Sequence, residues 1–181
     1  AFITKGPGGK FTHHRGIYYG FSRCSYTDKD DEEHTKIDTR HCKKAHQVHK
    51  KLINSEASDK QASMTSEIAW IDNEGNEFAT EQRTLSFHYK EKLDLVVNFS
   101  SVLSTEHPKM KVDGDPQHAG FQFRANDEVA SSNSKQTYYI RPKTGKAKPG
   151  QTINWSQKND TEQTRDLPWK GMSFVVGDDR Y

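Results

Sequence analysis

The chain has 181 residues, of which 31% are hydrophobic, and its 27 basic and 25 acidic side chains leave a formal net charge of +2. A nearly neutral chain is unlike a nucleic-acid-binding protein, whose phosphate-tracking groove normally needs a basic excess. No apolar run approaches the roughly 20 residues that a membrane-spanning helix requires. The composition predicts a domain whose apolar residues are concentrated in strands beneath long polar loops.

The cysteines and the start of the chain leave its compartment open. Cys24 and Cys42 could pair in an exported protein and are equally compatible with free thiols in a reducing cytosol. The chain begins at Ala1 without a signal-peptide pattern, so we expect that processing or truncation removed earlier residues.

The first polar cluster comprises His13, His14 and Arg15. It follows a glycine-rich turn at residues 6–9 and precedes an aromatic run at residues 17–21 that predicts a short buried strand. Imidazole titrates near neutrality, and guanidinium pairs with carboxylate, phosphate or sugar oxygens. The cluster is therefore a candidate edge of a site, with a solvated loop as the alternative.

The next two stretches carry charge without a clear periodicity. Residues 28–33 are acidic but lack the glycine and glutamate spacing of an EF-hand, which predicts an exposed loop. Residues 40–53 fit both helical and strand spacing. A helix would place His46 and His49 on one face, where they could hold a metal, whereas a strand would separate them. We expect a basic, solvated element here in preference to a zinc site.

Alternation becomes clear from Met64 onward and predicts a hairpin whose turn lies at residues 72–76. The strand of residues 77–89 places Glu81 and Arg83 on the face of an apolar row that we expect to point into the core. A buried charge must be paired, so we expect the two charges either to lie at the open end of the sheet or to satisfy one another and other partners. The alternative is that a bulge or twist exposes both to water. The strand of residues 77–89 and the returning strand of residues 93–99 form a second hairpin, which is predicted to be the core of the domain. The apolar members of the row are Leu85, Phe87 and Tyr89.

The last third of the chain alternates only in places. Short strands are predicted at residues 119–124 and 136–140. Residues 142–168 are polar and predict a long loop, and alternation of apolar and polar residues returns at residues 172–176. No terminal strand is expected before Tyr181, so we expect a fragment of a longer domain. In the first of these strands, one face carries Phe121 and Phe123, and the other carries His118, Gln122 and Arg124, facing either a ligand groove or solvent.

Three motifs, in this order, resemble a bacterial family of unknown function whose members carry the name methane oxygenase PmoA, or PmoA-like. The resemblance covers nearly the whole chain, and its members continue past the point of Tyr181. The motifs are His13, His14, Arg15 and Gly16; Trp70, Asp72 and Gly75 followed by Glu81 and Arg83; and His118, Ala119, Gly120, Phe121, Phe123 and Arg124.

The resemblance implies a β-rich domain from bacteria that degrade complex glycans, with relatives commonly exported. An exported location is therefore favoured over a cytoplasmic one. Methane oxidation is not expected, because the methane monooxygenase subunit of similar name is a membrane protein and this chain is polar throughout. Together with the alternation, this predicts an all-β antiparallel sandwich with little helix, as a single domain over residues 1–181 that is incomplete at both termini.

We expect a carbohydrate-active enzyme of lyase, hydrolase or epimerase type, acting on a small molecule or glycan in a His/Glu/Arg cleft. No nucleic-acid partner is expected. The expected acid/base residues are His13, His14, Glu81 and His118. The expected substrate-binding residues are Arg15, Arg83, Arg124 and Trp70.

Two alternatives stay open. One is a non-catalytic carbohydrate-binding or interaction module, in which Trp70, Trp155, Trp169 and the tyrosines stack on sugar rings while arginine and histidine donate hydrogen bonds. Aromatic side chains exposed in a line would favour it. The other is a metal-dependent enzyme, since a divalent metal is compatible with the histidine content and no cofactor is identified. Its ligands would come from His13, His14, His41, His46, His118 and Glu81.

Overall fold

The computed structural model describes residues 16–43, 45–91, 94–115, 118–150 and 167–181. These residues form antiparallel strands with very little helix, which confirms the all-β prediction. The chain divides into two compact units, which we name the central unit (residues 20–119) and the terminal unit (residues 1–19 and 120–181). The single domain predicted from the sequence stays a prediction.

The strands are numbered in chain order, and most of them are short. They are β1 (Ile17–Phe21), β2 (Arg23–Thr27), β3 (Glu33–Ile37), β4 (Ala45–Ala57), β5 (Gln61–Asp72), β6 (Glu77–Lys90), β7 (Asp94–Ser104), β8 (Lys109–Asp113), β9 (Ala119–Phe123), β10 (Tyr138–Arg141), β11 (Gly145–Lys146), β12 (Gly171–Ser173), β13 (Val175–Val176) and β14 (Asp179–Arg180). The helix α1 spans Asp127–Ser131, and a 3-10 turn spans Ser134–Gln136.

The central unit is a two-layer sandwich. Its smaller sheet has the strand order β3-β2-β8, and its larger sheet has the order β4-β5-β6-β7. Tyr26 on β2 stacks on Phe78 of β6, with 5.4 Å between ring centroids. The two sheets therefore meet face to face at this point, as in other antiparallel sandwiches.

The core of the central unit lies at the opposite end of β6 from the one predicted. Glu81 is fully buried, whereas Tyr89 and Leu95 are each 58% exposed. Contacts with the smaller sheet account for the reversal: Trp70 lies opposite Ala79 near the β5–β6 turn, and the neighbouring Phe78 stacks on Tyr26 of β2. The predicted core, at the Tyr89 and Leu95 end of β6 and β7, is therefore wrong. The buried end of the row is the one that carries Glu81.

Residues 45–57 form strand β4, which settles the choice between helix and strand. His46 lies opposite Ile71 and His49 opposite Ile68, so the two histidines point to opposite faces. Both are exposed. The metal pair that a helix would have created is therefore absent from this strand.

The terminal unit consists of small antiparallel pieces. β1 pairs with β9, β10 lies between β11 and β12, and β13 forms a hairpin with β14. Gly177, at φ +59°, makes the tight turn of that hairpin. The expectation of no terminal strand is therefore wrong. Among the described residues, no helix is long and apolar enough to cross a membrane.

Candidate functional site

The predicted site residues fall into three groups. Those of the amino-terminal cluster, His13, His14 and Arg15, lie outside the described residues. Those of the central unit are Trp70, Glu81, Arg83 and His118, and Arg124 belongs to the terminal unit.

Glu81 is the centre of a buried polar group in the central unit. Its Oε2 accepts hydrogen bonds from Trp70 Nε1 and Arg83 Nη2, and its Oε1 accepts one from Arg83 Nε, all at 2.8 Å. Arg83 also donates to Gln47 Oε1 at 2.8 Å and lies over the ring of Phe99. The buried carboxylate is thereby compensated by a forked guanidinium, as a charge in a low-dielectric interior requires.

The burial of this group indicates that Glu81 and Trp70 support Arg83 and do not contact a substrate directly. Glu81 and Trp70 are both 0% exposed, so the indole face is covered and both carboxylate oxygens are engaged. Arg83 is the more accessible member, with its side chain 21% exposed. We interpret the carboxylate and indole as a scaffold that fixes the position of the guanidinium.

Two Asp–His pairs lie side by side in the central unit, and we call them the paired dyads. After β3, Asp38 Oδ2 is 2.8 Å from His41 Nδ1, while Asp38 Oδ1 accepts the backbone N–H groups of Arg40 and His41. After β8, Asp115 Oδ1 is 2.8 Å from His118 Nδ1. The two imidazole ring centroids are 4.9 Å apart. The structure therefore joins the predicted His118 to three polar residues from two separate loops.

Both dyads arise from the same local spacing, an aspartate followed three residues later by a histidine. Turns bring residues i and i+3 close together. One turn is closed by the bridge between Asp38 and Lys43, and the other by the bond from His118 N–H to the carbonyl of Asp115 at 2.9 Å. The repeated Asp-x-x-His spacing is visible in the sequence and was the signal that could have identified both aspartates.

A carboxylate on Nδ1 fixes the tautomer and orientation of an imidazole and makes Nε2 the nitrogen that exchanges a proton or binds a metal. The side chains of Asp38, His41 and His118 are between 16% and 28% exposed, and that of Asp115 is 47% exposed. The paired dyads could therefore supply a base and an acid to one substrate, or two nitrogen ligands to a divalent metal. Of the predicted metal ligands, the structure brings His41 and His118 together.

A second polar region of the central unit is a cleft of about 930 Å³, which we call the aromatic cleft. Its wall includes Tyr26, whose ring centroid lies 4.4 Å from that of His34 and 4.5 Å from that of His107. The Tyr26 hydroxyl donates to Asp72 Oδ2 at 2.8 Å. Burial, together with this bond, raises the pKa of Tyr26 and keeps its hydroxyl protonated. Sequence reasoning did not identify the cleft, because its residues come from distant strands.

His34 and Asp28 form an ion pair on the same wall, with 3.0 Å between Nε2 and Oδ2. This hydrogen bond raises the pKa of His34 and lowers the pKa of Asp28. The loop of residues 28–33 is largely exposed, as predicted. Its first residue, however, faces a histidine beyond its end, and no short motif indicated that contact.

Arg124 is part of a partly buried network in the terminal unit. Its backbone N–H donates to the carbonyl of Gly16 at 2.9 Å, and its Nη2 donates to Gln122 Oε1 at 3.3 Å. Gln122 Oε1 also accepts from the Tyr18 hydroxyl at 2.8 Å. Burial lowers the pKa of Arg124, and burial raises the pKa of Tyr139, partly offset by the attraction of the guanidinium. Gln122, a member of the predicted polar row of β9, is thus hydrogen-bonded to Tyr18 of β1.

No curated protein and no solved structure matches the chain significantly. The sequence pattern described as a family of unknown function, DUF6807, matches residues 1–180. The chain therefore belongs to the DUF6807 family of unknown function.

Proposed function

We propose that this chain is an acid/base enzyme acting on a sugar or sugar derivative, with His118 and His41 as its proton-transferring groups. The observation that carries the proposal is the arrangement of the paired dyads, with two carboxylate-held imidazoles whose centroids are 4.9 Å apart. In such a pair, one imidazole can abstract a proton while the other donates one to a leaving or carbonyl oxygen. Lyases, hydrolases and epimerases can each use such an acid/base pair.

The sugar assignment rests on the resemblance to PmoA-like proteins of glycan-degrading bacteria. The proposal keeps His13 and His14 as additional acid/base candidates and Arg15 and Arg124 as groups that orient substrate oxygens. Arginine suits that role because its planar fork donates paired hydrogen bonds. An exported location and a glycan or small-molecule substrate belong to the same proposal.

Glu81 has a changed role in this proposal. Its two oxygens are held by Trp70 and Arg83, so we assign it to positioning the guanidinium and no longer to proton transfer. Trp70 likewise supports the carboxylate from within the core. Arg83 keeps its proposed role of contacting the substrate, since it is the accessible member of the group.

The test begins with a screen of the purified chain against monosaccharides, uronic acids and polysaccharides in D₂O. Proton NMR would detect deuterium uptake for an epimerase, an unsaturated sugar for a lyase, and a new reducing end for a hydrolase. We expect turnover by the parent chain and a fall of about 10²–10⁴-fold in kcat for His118→Asn. Asp115→Asn should lower kcat in the same direction, because it releases the imidazole from its fixed tautomer.

The matched control is His49→Asn, since His49 is an exposed histidine on β4. It should leave turnover within about twofold of the parent, as expected for a surface change. Turnover that survives both His118→Asn and His41→Asn would overturn the proposal.

A binding module is the second candidate, and the exposure of Trp169, at 52%, favours it. Saturable binding of a glycan that Trp169→Ala abolishes, without turnover, would establish this alternative. Trp70, being enclosed, is not expected to contribute to such binding.

A further inference from the structure

A second group of metal-compatible side chains lies beside the aromatic cleft and shares no residue with the paired dyads. Asp28, Glu32 and His34 each offer one ligand atom, and these atoms all lie within 4.8 Å of one another. Ligand atoms bound at about 2.0–2.2 Å from one cation are at most about 4.4 Å apart. Small side-chain movements would therefore bring all three atoms onto one ion.

The imidazole of His34 is held in place from outside the group. Its ring stacks on that of Tyr26, with 4.4 Å between centroids and 4° between planes. Tyr26 is buried and is itself fixed by its hydrogen bond to Asp72. A ligand whose ring orientation is already set by packing loses little freedom when it binds a metal.

The carboxylate of Asp28 is also oriented. Its Oδ1 accepts the backbone N–H groups of Asp30 and Glu32, both at 2.9 Å. Its Oδ2 is the oxygen that lies 3.0 Å from His34 Nε2. The side chains of Asp28 and His34 are only 21% and 17% exposed, so a bound ion would be partly shielded from water.

His34 also belongs to a competing group with Asp72 and Glu74. There, Asp72 Oδ1 accepts from two backbone N–H groups, those of Glu74 and Asn76. Its Oδ2 accepts from the hydroxyl of Tyr26 and the amide of Asn76. A metal at this position would have to displace bonds that hold the core together, so the first group is the better site.

We propose that Asp28, Glu32 and His34 bind one divalent cation that accepts both carboxylate and imidazole ligands, Mn²⁺ or Zn²⁺, on the wall of the aromatic cleft. One imidazole with two carboxylates suits these ions better than Ca²⁺, which prefers oxygen alone, or Cu⁺, which prefers sulfur. When the cation binds, the hydrogen bond between His34 Nε2 and Asp28 Oδ2 breaks, any proton on Nε2 is released to solvent, and both atoms become ligands. The cleft, of about 930 Å³, has room for water or a small ligand at the remaining coordination positions.

The experiment titrates the full chain, purified without a histidine tag and stripped with a chelator, with MnCl₂ and with ZnCl₂. Isothermal calorimetry gives the affinity, and elemental analysis after dialysis gives the stoichiometry. Glu32→Gln removes one charged ligand from an exposed side chain without changing its shape. We expect the affinity for at least one of the two ions to fall about tenfold or more in this variant.

Two further variants separate this site from other sources of binding. Glu33→Gln makes the same charge change at the next, exposed residue, and Glu74→Gln tests the competing group. Both should bind within about twofold of the parent chain. Equal binding by Glu32→Gln and Glu33→Gln, or a loss confined to Glu74→Gln, would overturn the proposal, as would no binding of either ion by the parent. These readouts do not depend on the proposed acid/base activity, which uses none of these residues.

Discussion

At the scale of single residues, Glu81 shows how a charged side chain can occupy the most buried position of a strand. Its oxygens take three hydrogen bonds, two of them from one guanidinium, and none of its surface meets water. The desolvation cost of the carboxylate is offset only while Arg83 and Trp70 remain in place. The stability of the central unit should therefore depend on the completeness of this group.

We predict that Glu81→Ala lowers the free energy of unfolding by about 3–5 kcal/mol, because it removes the carboxylate that compensates the charge of a partly buried guanidinium. Glu67→Ala is the control, since Glu67 on the adjacent strand makes a surface ion pair with Lys51 at 3.2 Å. That change should cost about 1 kcal/mol or less. Urea unfolding monitored by tryptophan fluorescence measures both, and equal losses would contradict the central role of Glu81.

The two cysteines should differ sharply in reactivity. Cys24 and Cys42 are both free thiols, the first buried and the second exposed. Burial raises the pKa of Cys24 to about 12, so almost none of the reactive thiolate forms near pH 8. A disulfide-exchange reagent should label one thiol of the native chain and the second only after denaturation. In Cys42→Ser the native chain should not react, and prompt labelling of two thiols would contradict this prediction.

At the scale of elements, the long β5–β6 hairpin is buried near its turn and exposed toward its other end. Near its turn, both faces are covered, and Trp70, Phe78 and Ala79 are almost completely buried. Toward the other end, apolar side chains such as Tyr89 become exposed. The hairpin therefore stabilises the central unit mainly through its first few residue pairs next to the turn.

We predict a matching difference between two apolar substitutions. Phe78→Ala removes a ring that stacks on Tyr26 and should lower the free energy of unfolding by about 3–5 kcal/mol. Leu95→Ala, at an exposed position of β7, should change it by about 0.5 kcal/mol or less. Thermal and urea unfolding of the two variants checks this. A large loss for Leu95→Ala would mean that this end of the sheet is covered in solution.

At the scale of the whole molecule, chemically useful residues collect where loops of the central unit meet. The paired dyads come from the turn after β3 and the loop after β8, which are more than 70 positions apart in the chain. The aromatic cleft likewise combines Tyr26 and His34 with His107. Strands fix the ends of these loops, and the loops carry the titratable groups, as is common for sites on rigid β scaffolds.

Much of the fold followed from local patterns. Alternation located β5, β6, β7 and β9, because the period of a half-buried strand is two residues and each of these strands is long or aromatic enough to show it. For residues 40–53 the local pattern was ambiguous, and pairing with β5 decided in favour of β4. Local chemistry also identified Glu81, Arg83 and Trp70 as candidate residues. The misplaced feature was the core, which was predicted at the Tyr89 end of β6 and lies at the Glu81 end.

The sequence by itself determined that this chain is all-β and antiparallel and that Glu81 must have a charged partner, because strand periodicity and the cost of burying charge are local properties. Only the tertiary structure decided which end of the β5–β6 hairpin is buried, since that depends on where the smaller sheet, through Tyr26, packs on the larger one. It also decided that His118 lies beside His41, because loop positions are set by long-range strand pairing, which residue spacing does not encode.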